Sequence, residues 1–507
     1  MSADTTTRRT DAGTTLEANE KRVAELLDRQ WRLLIGGELV GSVGGRTFDV
    51  SSPCTGEVVA TVPDGTKDDA NRAVAAAAAA FPAWAARSAG ARADAVRALA
   101  DAVEARGHDL ALLDTVDGGS PIAVMSADVK MAVDALRYFA GLALESKGYT
   151  VPASTGLHYT ELQPYGVVAK IIPFNHPIMF AASKIAAPLV AGNTVVLKPA
   201  EATPLSALLL GEICREVLPP GVVNVVVGDG IEVPDALVRH PDVYRIGFTG
   251  SEGAGRAIQR AAAESAVKTV TLELGGKNAL IAFPDADLDE VARAAVQGMN
   301  FTWSGQSCGS TSRLLLHEDI ADAVVERVVR LLRDRTYHSP LDPAAVQGTM
   351  VNRTQYDRVL GYVEAARTEG ARVAVGGGRP DGVDEGLFIA PTVLDGVQPD
   401  HRVANEEIFG PVISVLRWHE EDEAVALANS VRYGLTGSVF TNDIRRAHRV
   451  ARALQTGFVW INAAGPHYLG VPYGGWKNSG TGKEEGLEEL LSYSQVKSVN
   501  VNLAGAP

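Results

Sequence analysis

The chain has 507 residues, enough for two or three domains that each bury a core. Apolar residues make up 46% and charged residues 21%, the balance of a soluble globular protein. With 61 Asp plus Glu against 47 Lys plus Arg, the formal charge of −14 argues against nucleic acid or an anionic membrane as a partner.

No stretch is apolar enough to span a bilayer, and the N-terminus lacks the apolar segment of a secretory signal. The three cysteines, Cys54, Cys214 and Cys308, lie far apart. They offer neither a disulfide framework nor a zinc pattern, so a cytoplasmic protein without a metal site is expected.

Residues 1–13 read as a disordered polar tail, and 16–27 as an amphipathic helix with Leu16, Val23, Leu26 and Leu27 roughly on one side. Short strands are expected at 32–35 and 38–40 around the Gly36-Gly37 turn, and another follows Gly56. Helices dominate 68–147, where Ala-rich segments carry strong helix formers. From 167 onward, β-branched runs alternate with helices. Strands are predicted at 167–172, 194–197, 222–227, 244–248 and 269–274, with helices at 177–189, 205–217, 233–239 and 253–263. Continuous apolar strands separated by helices imply a doubly wound parallel sheet covered on both faces. Such a sheet binds ligands where its strands end. The region 285–481 repeats the α/β texture less regularly, and the tail 493–503 alternates like an edge strand that could pair with another chain.

Cys308 sits among Gly305, Ser307, Gly309 and Ser310, small polar company typical of a tight loop, where the thiol could be a nucleophile or an inert buried cysteine. Such neighbours let a substrate and backbone N–H groups approach the sulfur. Further polar loops fall at predicted strand ends. Asn175 could donate to an oxyanion or serve a turn. Beside it, His176 could pair with a thiol or form a pocket wall, and the wall is the preferred reading. Lys198 and Glu201 could hold the two hydroxyls of a ribose or cap a helix start. Gly250 and Ser251 form a strand-to-helix turn able to meet a phosphate, or simply a turn. Glu273 ends an apolar strand, where burial would raise its pKa toward that of a general base; a solvated carboxylate is the structural alternative.

Several motifs occur together in order: Pro-Phe-Asn175, Leu-Lys198-Pro-Ala-Glu201, Phe-Thr-Gly250-Ser251, Glu273-Leu-Gly-Gly-Lys277, Gly-Gln-Ser-Cys308, Glu406-Glu407-Ile-Phe409-Gly-Pro and Gly474-Gly-Trp-Lys-Asn-Ser-Gly480. From about Trp31 to Asn502 the chain resembles the NAD(P)-dependent aldehyde dehydrogenase superfamily. The resemblance implies an α/β protein of three parts: a doubly wound parallel-sheet cofactor domain, an α/β catalytic domain and a small β oligomerisation domain. After a tail and helix at 1–30, the cofactor domain spans 31–147 and 165–277, and the catalytic domain 278–477. Residues 148–164 and 478–507 supply the oligomerisation hairpin and C-terminal strand.

By the same resemblance, Cys308 corresponds to the nucleophile, Glu273 to the general base and Asn175 to the oxyanion donor. Lys198 and Glu201 correspond to adenosine-ribose ligands, Gly250 and Ser251 to the pyrophosphate turn, and Glu407 and Phe409 to residues positioning the nicotinamide ribose and ring. NAD is expected over NADP because Glu201 would repel a 2′-phosphate. A homodimer or homotetramer is implied.

Two departures from the family pattern stand out. Pro234 replaces a glycine common near the adenine end. His176, Thr302 and Trp303 are unusual near the nucleophile, and with Phe180 and Tyr473 they suggest a roomy, partly polar tunnel for a medium-sized or aromatic aldehyde. The alternatives are a CoA-acylating semialdehyde dehydrogenase, which commonly lacks the general-base glutamate, a cofactor-free Cys–His thiol hydrolase, and a non-catalytic protein on the same scaffold.

Overall fold

Five parallel strands in the spatial order 3-2-1-4-5 form the centre of the first sheet. In chain order they are Val167–Ile171, Thr194–Lys198, Val223–Val225, Val243–Thr249 and Thr269–Glu273. This is a computed structural model that describes residues 15–333 and 335–503, so the expected tail at 1–13 lies outside the described residues. Strands Val167–Ile171 and Thr194–Lys198 are buried at every position, as a sheet with helices on both faces requires. The Leu33–Ile35 and Glu38–Val40 hairpin extends one edge antiparallel, and Gly480–Thr481 extends the other beside Leu272 and Glu273.

The strand order reverses at Val167–Ile171, which pairs with Thr194–Lys198 on one side and Val243–Thr249 on the other. At such a switch point the two following connections leave in opposite directions and a crevice opens beyond the strand ends. The loop carrying Asn175 and the turn Gly250-Ser251 border that opening.

Two buried acids on the Gly107–Gly118 helix set the helices behind the crevice. Asp114 accepts from the Ile178 N–H at 2.9 Å, in the first turn of the Pro177–Ala191 helix. Asp117 accepts from Leu205 N–H at 3.1 Å, where the Leu205–Val217 helix begins. Each satisfies a donor that has no partner within its own helix. Burial pushes the Asp114 carboxyl up to about 8. Pro234 falls in the first turn of the Glu232–Arg239 helix, where a missing N–H costs no helical hydrogen bond.

The second sheet has seven strands in the order Arg372–Val375, Thr392–Asp395, Val412–Trp418, Arg313–His317, Ala279–Ala282, Thr436–Phe440 and Phe458–Ile461. All pairs are parallel except the edge strand Arg372–Val375. Its two faces carry separate apolar cores, one around Leu315, Val412 and Trp418 and the other around Leu314, Val324 and Val415. Each large side chain so buried contributes roughly 2 kcal/mol.

The chain leaves the carboxyl end of the first sheet at Glu273 and enters the amino end of the second at Ala279, with five residues between them. Cys308 precedes Arg313–His317 and therefore stands at that same amino end. The short connection thus brings the strand ends of one sheet against the strand starts of the other. Outside both sheets, Ser494–Val501 pairs antiparallel with Leu157–Pro164 as a two-stranded ribbon, mostly exposed on the C-terminal strand.

Candidate active site

The Cys308 loop is fixed by its backbone. Asn300, Ser304 and Gly305 bracket the turn Phe301–Trp303 with left-handed φ of 55°, 52° and 68°. At Gly305 a Cβ would lie 2.3 Å from the Gly410 carbonyl, so no larger residue fits. Gln306 donates to the Thr349 carbonyl at 3.1 Å and accepts from Val351 N–H at 3.0 Å, tying the loop to the next segment. Asn278 donates to the carbonyls of Cys308 and Ser310 at 2.7 and 2.9 Å. The Cys308 carbonyl is thus turned away from the crevice, and no described residue accepts from the Cys308 N–H.

The thiol packs against Leu435, Phe458, Trp460 and Tyr473. Burial, followed by the charges of Glu407 and Glu273, pushes its pKa up to about 12. Burial also raises Cys54 to about 11 and Cys214 to about 12, so basicity alone does not single out one cysteine. Their surroundings do. Cys308 opens onto the crevice, whereas Cys214 is enclosed in the Leu205–Val217 helix.

Glu273 is 4% exposed, and neither carboxylate oxygen has a hydrogen-bond partner among the described residues. Burial raises its pKa well above the carboxylate range, Glu484 raises it further, and Lys184 opposes the shift. Behind it, Glu484 pairs with Lys184 and lies 4.0 Å from Lys170. Glu489 is pushed by burial to about 7. The sequence reading did not single out this buried charged group. Its signal was Lys184, a lysine within the otherwise apolar Pro177–Ala191 helix.

Asn175 donates from its amide to the Gln306 carbonyl at 2.9 Å, which leaves its second N–H for the crevice. His176 is engaged elsewhere. Its Nδ1 is 2.8 Å from Asp128 Oδ2, and its ring lies 5.3 Å from Trp303 and 5.6 Å from Phe180. Phe180 borders the crevice and a second cavity beside it. Thr302 and Trp303 line a neighbouring hollow with Gly465 and Pro466, and the Thr302 carbonyl accepts from Gly348 N–H at 3.1 Å. Tyr473 is buried beside the thiol, with its hydroxyl directed at Cys308.

Cys308, Glu273 and Asn175 border one crevice together with Gly250, Ser251, Glu407 and Phe409. Glu407 accepts from Gly276 N–H at 2.9 Å, and burial pushes its pKa to about 7. A Cβ on Gly275 would sit 2.0 Å from Glu407 Oε2, so the glycine makes room for the carboxylate. Phe409 holds a left-handed φ of 56° and meets Phe174 edge-on at 5.7 Å. Ser251 caps the Glu252–Ser265 helix through Ala254 N–H. Lys198 and Glu201 lie outside this lining, at the end of the adjacent strand, where Lys198 Nζ is 3.2 Å from Glu201 Oε2. Lys198 is buried and the Glu201 side chain is half exposed. Among the described residues no cluster of His, Cys, Asp or Glu could hold a metal ion, and no helix is long and apolar enough to cross a membrane.

Residues 40–499 match the model of the aldehyde dehydrogenase family. Aldehyde dehydrogenase tropH of Talaromyces stipitatus is 45% identical over 466 residues, which cover 90% of each chain. Among solved structures, an NAD+ complex of an aldehyde dehydrogenase from Bacillus cereus superposes with a TM-score of 0.92 at 39% identity, covering 95% of this chain and 98% of that one. A betaine aldehyde dehydrogenase from Staphylococcus aureus, also with NAD+, gives 0.92 at 37% identity, with coverage of 95% and 97%. On its sequence and on its two linked sheets alike, the chain belongs to the aldehyde dehydrogenase family.

Proposed function

We propose that the protein oxidises an aldehyde to a carboxylic acid with NAD, using Cys308 as nucleophile, Asn175 as oxyanion donor and Glu273 as general base. The observation that carries this reading is the convergence of those three side chains on one crevice at a switch point.

The crevice residues fit a dinucleotide. Gly250 leaves the turn flush, since a Cβ there would be 2.5 Å from the Phe248 ring, and Ser251 begins a helix whose N-terminus favours a phosphate. Glu407 would grip the nicotinamide ribose, with Phe409 bounding the ring. Lys198 and Glu201 would hold the adenosine ribose, where the Glu201 carboxylate favours free hydroxyls over a 2′-phosphate and hence NAD over NADP. Bound there, NAD supplies the acceptor for the hydride that leaves the substrate carbon.

The protein's own residues do the rest. A thiol with its pKa near 12 must lose its proton before it attacks, and the unpartnered Glu273 carboxylate is the base nearest in role. Sulfur adds to the carbonyl carbon to give a thiohemiacetal. Its oxyanion takes hydrogen bonds from the free Asn175 N–H and the Cys308 backbone N–H. Loss of hydride leaves a thioester on Cys308. Once that first proton has passed to solvent, the Glu273 carboxylate draws a proton from water, which attacks the thioester and releases the acid with Cys308 as the leaving thiolate.

The presence of Glu273 supports hydrolysis over transfer to CoA. A Cys–His hydrolase finds no support, because the His176 ring is turned to Asp128. The ribbon of Leu157–Pro164 and Ser494–Val501 supports a homodimer or homotetramer, since an isolated two-stranded ribbon is marginal without a partner surface. Three free thiols suit the cytoplasm. The aromatic walls near Cys308 suit a medium-sized or aromatic aldehyde. Absorbance of NADH across an aldehyde panel, with Cys308→Ser as control, tests the reading; oxidation that persists in Cys308→Ser refutes it.

A further inference from the structure

Two histidines flank the approach to Cys308, and a carboxylate orients each. His176 is held by Asp128, as described. The second is His467, whose Nδ1 lies 3.1 and 3.3 Å from the two carboxylate oxygens of Glu485. Its ring is stacked at 17° on Phe458, with centroids 5.8 Å apart, and sits 4.4 Å from the Tyr473 ring. The opposite nitrogen, Nε2, is 3.9 Å from the point where a side chain on Gly309 would begin, next to the nucleophile. No described residue hydrogen-bonds that nitrogen. His467 and Glu485 also line a cavity of about 360 Å³ that reaches Phe180, Met179 and Phe139.

Glu485 adopts a left-handed φ of 64°, where a glycine would be unstrained. Such strain persists where the surrounding structure imposes it. Here it accompanies a carboxylate aimed at His467 Nδ1. A carboxylate accepts and cannot donate, so a neutral His467 must place its proton on Nδ1. The lone pair then remains on Nε2, on the side of Gly309.

We propose that His467, with Glu485 as its positioning residue, is a specificity determinant that reads a hydroxyl group on an aromatic aldehyde. The inference rests on the aldehyde-oxidising reading above and names the substrate class of that site. Phe139, Phe180 and Tyr468 supply aromatic walls for a flat ring in that cavity, while Phe458 and Tyr473 pack against His467 itself. An Nε2 acceptor calls for a proton donor on the ligand, and a hydroxyl is the simplest one an aromatic aldehyde carries. The same cavity is lined by Asp134, Glu485 and Glu489 and by the Lys184 ammonium, so charges of both signs border it. A site that accepts a hydrogen bond from substrate discriminates against the analogue that lacks the donor, because its own acceptor is then left unpaired.

The test compares kcat/KM for benzaldehyde, 3-hydroxybenzaldehyde and 3-methoxybenzaldehyde with NAD at neutral pH. The methoxy compound matches the substituent in size but has no proton to donate. The expected result is a preference for the hydroxy compound over both others of about tenfold or more, which falls to near parity in His467→Phe. Glu485→Ala, which frees the tautomer, should shrink the same ratio and provides a second variant if His467→Phe does not fold. A wild-type enzyme that treats the hydroxy and methoxy compounds alike overturns the inference, as does a preference that survives both substitutions. If benzaldehyde and aliphatic aldehydes are oxidised without any hydroxyl preference, only this inference falls. If no aldehyde is oxidised, the proposed function falls with it.

Discussion

Gly474 leaves the space that the Glu273 carboxylate occupies: a Cβ on the glycine would be 2.7 Å from Glu273 Oε1, and its φ is 152°. The loop 462–475 thus shapes the base as much as the strand that carries it. In Gly474→Ala the carboxylate must move, and a displacement of about 1 Å can cost roughly a hundredfold in rate. Steady-state kcat should fall by about that amount while the first turnover still releases NADH. An unchanged kcat would show that Glu273 has room to spare.

Asn175 donates one amide proton to Gln306 and keeps one for the crevice. Asn175→Ala removes the oxyanion donor and is expected to lower kcat/KM by about 100- to 1000-fold, with the protein still folded by circular dichroism. A loss of less than about threefold would assign the oxyanion to other donors.

Glu407 has a pKa pushed by burial to about 7, so it gains its charge as pH rises through that value. If the carboxylate holds the nicotinamide ribose, KM for NAD should fall as pH rises from about 6 to about 8. That slope should vanish in Glu407→Gln. Titration of KM in both proteins checks it.

For Glu201, the charge-neutral Glu201→Gln should narrow the preference for NAD over NADP by about tenfold, the effect of one half-exposed charge. The ratio of kcat/KM for the two cofactors is the readout. A wild-type preference for NADP would refute the assignment outright.

Burial holds the Glu273 carboxyl well above its unfolded pKa, so the folded chain keeps a proton that the unfolded chain has already released. Stability is therefore lost as pH rises above the unfolded carboxylate range. Removing the titrating group in Glu273→Gln should raise Tm relative to wild type at about pH 8 and change it less at about pH 4. An equal shift at both values would mean that the Glu273 carboxyl titrates in the folded protein as it does in the unfolded chain.

The alternation of β-branched runs and helices after residue 167 was legible because the central strands Val167–Ile171 and Thr194–Lys198 are buried on both faces and read as continuous apolar runs. The Cys308 loop was legible through composition, since only small residues pack where Gly305 meets Gly410. Contacts made across long sequence separation were not. Lys184 and Glu484 lie 300 residues apart, and their pairing leaves no local periodicity. His467 sits in an irregular loop where nothing nearby in sequence announces Glu485. The two-residue strand Gly480–Thr481 is also too short to leave a pattern, yet it borders Glu273 in the first sheet. What local physics dictates, the order of strands and the chemistry of loops, could be read directly; which distant side chains complete a pocket could not.

The proposed reaction passes through a thioester on Cys308 that Glu273 helps to hydrolyse. Rapid mixing of Glu273→Gln with NAD and a good aldehyde, followed by mass analysis of the Cys308 peptide, tests it most directly. The account predicts about one equivalent of NADH per active site in a burst, then near arrest, with the acyl group on Cys308. Steady turnover at the wild-type rate, or an acyl group on any other residue, would contradict it.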